Sequence, residues 1–455
     1  MILADKTQEP KVREELDRAQ RLVALAMAAG AETADAISIA AISESVSWRL
    51  GKAEEIERSE GRDLGLRVLI GRRQAFVSTS EVSEKALQAT VERALAMARA
   101  APEDPYCGLA DNDLLATALD DLELADAAEP TPEQLIERAR AAEAAALAVP
   151  GVTNSEGASA DSGRGFVALA TSAGFAAAYV GTQHSTAVSV IAGTDTGMER
   201  DYDFMSARFL GDLEDAAAIG HRAGELAVRR LKPRKVKSAR VPIVFAPRVA
   251  HSLLGHLASA IAGPNVARGT SFLKDKLGEA VFAPGIRVVD DPRRRRGLRS
   301  KPFDGEGVRT ARHVVIEDGR LTTWLLDSAS ARQLGLRSTG HASRGTASPP
   351  APGPSNFYLE PGPVTPAELM SDITSGIYVT ELIGFGINPV TGDYSRGASG
   401  FWIENGEIAY PVSEITIAGN LIAMFQNLSA ANDLAFKYGT DAPTIRIEGM
   451  TVAGQ

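Results

Sequence analysis

Residues 241–263, VPIVFAPRVAHSLLGHLASAIAG, constrain this chain more than any other stretch. Val241, Ile243, Val244 and Phe245 form an apolar run expected to be a buried strand. Pro247 then suits the first turn of a helix, where its missing N–H would go unsatisfied anyway. That helix carries His251 and His256, two of the six histidines in the chain. Paired imidazoles on one helix suggest a metal site. In zinc peptidases the H-E-x-x-H pattern puts both rings on one face and supplies a glutamate as general base. Here the pattern is broken twice. Histidines five residues apart point roughly 140° away from each other on a regular helix, so a shared ion would need a π-bulge. Ser252 stands at the glutamate position, and a hydroxyl cannot unaided take a proton from metal-bound water at neutral pH. No cysteine lies nearby to complete a ligand set.

The five-residue spacing resembles the HExxxH helix of the TldD/TldE (PmbA) metallopeptidase family. The likeness runs over nearly the full length, through residues 301–308 (KPFDGEGV), 326–332 (LDSASAR) and 338–341 (STGH). It is most specific in residues 384–421, GFGINPVTGDYSRGASGFWIENGEIAYPVSEITIAGNL. The chain looks like the TldE/PmbA branch, long called a modulator of DNA gyrase. In that family the TldD-type subunit carries HExxxH plus a downstream cysteine as zinc ligands, and the TldE-type subunit pairs with it and lacks the set. Position by position, His251 and His256 match the two ligands, Ser252 replaces the glutamate, and the region around Ser399 offers no thiol.

The resemblance therefore implies no catalytic residue and no metal in this chain, with zinc in a TldD-like partner subunit. It implies a heterodimer with that partner, or a homodimer, acting on small or unfolded peptides. Gly255, Asp393, Ser395, Arg396 and Ser399 are the residues expected to line the cleft. Two alternatives stand beside this reading. One is an independently active metallopeptidase using His251, His256 and an unrecognised third ligand. The other is a non-enzymatic regulator that binds a protein such as gyrase. Read from the residues alone, the two histidines are half-buried, hydrogen-bonded helix residues, as the missing base and third ligand favour.

A chain of 455 residues suggests two or three domains. The expected division is an N-terminal α+β domain, 1–236, and a β-rich, peptidase-like domain, 237–455. The net charge of −10 disfavours a nucleic-acid partner, which would call for a basic face. The basic run at residues 293–296 is expected to be a solvated loop. One cysteine, Cys107, excludes an internal disulfide and fits a reducing compartment. The charged start of the chain and the lack of a long apolar run point to a cytoplasmic protein without a membrane span.

In chain order, residues 11–31 read as an amphipathic helix ending at Gly30. Strands follow at 36–39, 45–48, 65–70 and 75–79, with turns at Gly51, Gly61 and Gly71. Residues 81–100 form a second helix behind a Ser-Thr-Ser cap at 78–80. Thr131 and Pro132 then open a helix through Ala148, strands cross 151–206, and residues 210–231 form another helix. Helix, four or five strands, helix, twice over, hints at an internal duplication. Beyond 241 the pattern is mostly strand, with hairpins on Asp318-Gly319 and Asn405-Gly406. Residues 345–361 are too rich in proline and glycine for regular core structure, and the glycine-rich 378–400 loop is placed to line a groove. No dinucleotide fingerprint, phosphate loop or G-x-S-x-G elbow is present. His313 and His341 are candidates for a replacement ligand or acid, though local hydrogen bonding is the simpler role. Asp304 and Glu306 read as a loop end. The expected class is α+β: N-terminal helices packed on antiparallel sheet, then a mainly antiparallel β domain carrying one degenerate HxxxxH helix.

Overall fold

The computed structural model describes residues 2–4 and 9–455. The N-terminal half is built on one sheet of seven described strands: β1 (Ile2–Ala4), β2 (Thr33–Arg49), β3 (Lys52–Ile70), β4 (Arg73–Thr79), β5 (Val152–Thr171), β6 (Ala176–Ala192) and β7 (Glu199–Ala207). The spatial order is β4-β3-β2-β5-β6. On the outer edge of β6, β1 runs parallel to its start and β7 antiparallel to the rest. Four helices accompany the sheet: α1 (Pro10–Ala28), α2 (Glu84–Ala100), α3 (Pro132–Leu147) and α4 (Ala216–Arg229).

The suspected duplication is visible in the element order, as α1-β2-β3-β4-α2 followed by α3-β5-β6-β7-α4. The two units meet where β2 pairs antiparallel with β5. Each holds three strands rather than four or five. Residues 36–39 and 45–48 belong to a single strand because nothing from Ala40 to Glu44 breaks an extended chain. Gly61 likewise lies inside β3, whereas Gly51 and Gly71 adopt the positive φ of 76° and 58° that their turns require.

Side chains alternate faces along a strand, so parity shows what covers the sheet. The even-numbered Ala36, Ala40, Phe166 and Ala168 pack against α1 and α2 through Leu16, Leu22, Leu87 and Val91. Val46, Ala160 and Val188, also even, pack against Leu135, Ala139 and Ile219 of α3 and α4. All four helices thus lie on one face. The opposite face presents Ile37, Leu169 and Ala177, and the C-terminal half reaches it through Phe303. The Phe303 ring meets Phe175 and Tyr179 edge-on, with centroids 5.3 and 5.4 Å away.

Local chemistry sets the helix ends. Ser83, not the 78–80 run, caps α2 by accepting from the Ala86 N–H, because the chain turns helical only after it. Thr131 and Gln134 form a reciprocal capping box on α3. Asp215 accepts from the Ala218 N–H and starts α4 later than residue 210, where a short 3-10 turn stands instead.

In the C-terminal half, β8 (Ala239–Phe245) joins strands Ser375–Ile383, Asp393–Glu404, Glu407–Asn420 and Ile445–Ala453. Pairing between Glu407–Asn420 and Ile445–Ala453 closes these five into a small barrel. A second sheet runs through Val288–Asp290, His313–Glu317 and Phe357–Leu359. Both expected hairpins form, with Asp318, Gly319, Asn405 and Gly406 all at positive φ. The 345–361 stretch does contribute to the core, since Phe357 and Leu359 are fully buried in a sheet strand. At its start, Arg344 and Thr346 bind Asp35 and Asp63 of the N-terminal sheet. The 378–400 stretch is mostly strand rather than loop. Two of its glycines serve close packing: a Cβ on Gly386 would lie 1.7 Å from the Ser395 carbonyl oxygen, and one on Gly400 2.0 Å from the Tyr378 carbonyl oxygen. Among the described residues, no helix is long and apolar enough to cross a membrane.

Candidate functional site

Helix α5 (Pro247–Ala260) starts one residue after β8 ends, with Pro247 in its first turn. Val249, Ala250, Leu253, Leu254 and Leu257 are buried and fix the helix against the C-terminal core. It is α-helical throughout, with no π-bulge, so the two imidazoles diverge. His251 stacks on Tyr438, with ring centroids 4.6 Å apart and planes 16° from parallel. His256 meets Tyr394 edge-on at 6.1 Å. The Ser252 hydroxyl donates to the Val249 carbonyl at 2.7 Å, which ties it to its own helix.

Burial, and secondarily the charge of Arg396, pushes the His256 imidazole down to about 4. Burial also lowers His251, against the opposing pull of Asp441. The residues here do not fit a catalytic zinc ion: the imidazoles point apart, and the only hydroxyl between them is committed to the backbone. Among the described residues no three histidine, cysteine, aspartate or glutamate side chains are grouped to hold a metal ion. Cys107 lies in the segment whose Tyr106 and Leu109 carbonyls accept from Arg332, not on this helix.

Two cavities share His251 and Ser252 in their walls. One, of about 280 Å³, is closed by Arg200, Asp201 and Tyr202 of β7, Arg230 after α4, Arg248 of α5, and Glu381 and Arg396 of the barrel. The other, of about 750 Å³, runs along α5 past Gly255, Ala258 and Ser259 to Arg299 and Tyr438. Arg248 binds Asp201 at 2.6 Å and lies over the Tyr202 ring, 4.3 Å from its centroid. Arg230 reaches Glu199 at 3.4 Å and also pairs with Glu381. The Arg248 contacts fasten the N-terminal sheet to α5, and Arg230 ties it to the barrel. Arg396 behaves differently. Its Nε is buried without a hydrogen-bond partner among the described residues, as is His256 Nε2.

Of the residues expected to line a cleft, Gly255 and Arg396 do line these cavities. Asp393 instead binds Thr391 and Asn420 in a turn, and the Ser395 N–H donates to the Gly386 carbonyl. Ser399 is buried in its strand opposite Glu381. His341 contacts Asp290 at 3.2 Å and Thr339 at 2.8 Å, with the His313 ring 5.0 Å away, and neither histidine lines the two cavities. Asp304 and Glu306 do sit at a turn, and both are buried there. Asp304 accepts the N–H groups of Glu306, Val308 and Ala342, and burial beside Asp304 pushes Glu306 up to about 7. The basic run at 293–296 is ion-paired rather than only solvated: Arg293 binds Asp120, and Arg296 binds Glu123 and Asp212.

Sequence reasoning passed over Arg200, Arg230, Asp201 and Tyr438. Arg248 carried a usable signal, since it precedes His251 by three residues and so shares its face of the helix.

The result is a two-part α+β chain whose degenerate histidine helix lies beside a small barrel. Three family descriptions match it in order: PmbA/TldA metallopeptidase domain 1 at residues 34–98, the central domain at 125–231, and the C-terminal domain at 238–454. The chain belongs to this PmbA/TldD metallopeptidase family. It is 41% identical over 413 residues to the metalloprotease PmbA of Escherichia coli O157:H7, covering 90% of each chain. It is 38% identical to a PmbA homologue of Haemophilus influenzae, over 99% of this chain and 97% of that one. Its fold matches the crystal structure of TldE from Thermococcus kodakarensis with a TM-score of 0.86, at 21% identity over 96% and 100% of the two chains.

Proposed function

We propose that this chain is the TldE/PmbA-type subunit of a two-subunit zinc metallopeptidase that degrades small or unfolded peptides. In this reading a TldD-like partner supplies the zinc, the general base and the thiol ligand. This chain holds no metal of its own and shapes how peptides reach the partner's site. The observation that carries the reading is α5 itself. It keeps both family histidines but aims them apart, and Ser252, bonded to Val249, stands where the base belongs. A single cysteine without a disulfide suits work in the cytoplasm.

The test is co-expression with a TldD-type protein, followed by sizing chromatography, metal analysis and a peptide cleavage assay. The two chains are expected to co-elute, with zinc and cleavage present in the complex and absent from this chain alone. Stoichiometric zinc together with peptide turnover in the isolated chain would overturn the proposal.

A further inference from the structure

We propose that the arginine-walled cavity beside His251 and Ser252 receives a carboxylate of a peptide, either its C-terminus or an acidic side chain. The inference rests on the preceding reading only in taking a peptide as the ligand. Four arginines line this cavity, Arg200, Arg230, Arg248 and Arg396, against two carboxylates, Asp201 and Glu381. Those two acids are already used. Asp201 binds Arg248 at 2.6 Å and Arg230 at 3.5 Å, and Glu381 binds Arg230. Arg200 turns to Glu156, at 3.4 Å, which is not part of the wall. Arg396 has no ion pair among the described residues, and its buried Nε has no acceptor.

Buried polar groups are normally satisfied, so the unpaired Nε of Arg396, on a side chain that lines the cavity, marks a place where an acceptor is missing. A guanidinium presents a planar fork that matches a carboxylate. Size fits as well. The smaller cavity, about 280 Å³, has room for an end group and the residue that carries it. The larger one, about 750 Å³, adjoins it across His251 and Ser252 and is walled on the helix side by Gly255, Ala258 and Ser259, leaving room for the rest of a peptide.

The experiment titrates the purified full chain, without any partner, by calorimetry. The probes are N-acetyl-trialanine as free acid, the same peptide as its amide, N-acetyl-Ala-Glu-Ala amide and N-acetylalanine, with inorganic phosphate as competitor. At least one of the two carboxylate peptides is expected to bind at least tenfold tighter than the neutral amide, and which one binds tells terminus from side chain. Arg396→Gln should lower that affinity tenfold or more, with Arg396→Lys retaining part of it. A second variant, Gly255→Leu, fills open space beside the larger cavity and should weaken the tripeptide more than N-acetylalanine. Equal binding of acid and amide, no binding at all, unchanged affinity in Arg396→Gln, or displacement by phosphate at the strength of the free acid would each overturn the proposal. Because no partner is present, such a failure leaves the subunit assignment standing, and a failed co-elution leaves this site standing.

Discussion

Acid should loosen this protein through His256, and the size of the effect can be worked from its surroundings. Burial, followed by the Arg396 charge, holds the folded imidazole at about 4. In the unfolded chain it returns to roughly 6.5. A histidine depressed on folding binds more protons when unfolded. Its contribution to stability is therefore fully present above the unfolded value and is lost as pH falls from about 6.5 toward 4. Linkage over that window gives a loss of about 2 kcal/mol between pH 7 and pH 5, and about 3 kcal/mol once pH is below 4. The assay is urea unfolding of the wild type and of His256→Gln at pH 7 and pH 5. Groups distant from His256 titrate alike in both proteins and cancel in the difference. The wild type is expected to lose about 2 kcal/mol more than the variant over this interval. A ring titration by NMR supplies the midpoint directly. Arg396→Gln should raise that midpoint only in part, because burial is the larger cause. Identical pH dependence in the two proteins, or a ring midpoint at or above 6.5, would refute the reasoning.

Three further expectations follow from other parts of the molecule. Asp35 neutralises Arg67 and Arg344, whose side chains are 4% and 0% exposed, so Asp35→Asn should cost about 3–5 kcal/mol in urea unfolding. Gly220→Ala would put a Cβ 2.0 Å from the Ala142 carbonyl oxygen where α4 crosses α3. It should lower stability by about 1–3 kcal/mol, seen as an earlier thermal midpoint. Ser252→Glu should restore neither stoichiometric zinc nor peptide turnover, because the diverging histidines and the absent thiol remain; metal analysis and a fluorogenic peptide assay check both.

Much of the fold was legible because its periodicities are local. Amphipathic spacing gave α1, Asn-Gly and Asp-Gly gave the two hairpins, and Thr131-Pro132 gave the start of α3. The errors arose where a local signal competed with pairing partners far along the chain. Gly61 looks like a turn, yet it stays extended because β2 pairs across it, with Ala41 opposite. Phe357–Leu359 sits among prolines and glycines, yet Val288–Asp290 on one side and Thr440–Asp441 on the other draw it into a sheet. The site divides in the same way. His251, Ser252, Gly255 and His256 lie on one readable helix. The arginines that give the cavity its charge come from β7, the end of α4, α5 and the barrel, and only the tertiary fold brings them together.

That charge gives the degenerate helix a physical logic. The field that helps drive a proton off His256 comes from Arg396, and it acts on any cation brought to the same nitrogen. A dication experiences about twice the repulsion of a proton at a given distance. Burial adds its own penalty unless negative ligands accompany the ion, and the nearest acids in the wall, Asp201 and Glu381, are already bound to arginines. The same arrangement lowers the free energy of an anion entering beside Arg396. One set of residues therefore opposes a metal and favours a carboxylate, which links the proposed loss of zinc chemistry to the proposed gain of a peptide-binding recess. If Arg396→Gln left both the His256 midpoint and carboxylate affinity unchanged, this link would fail at its source.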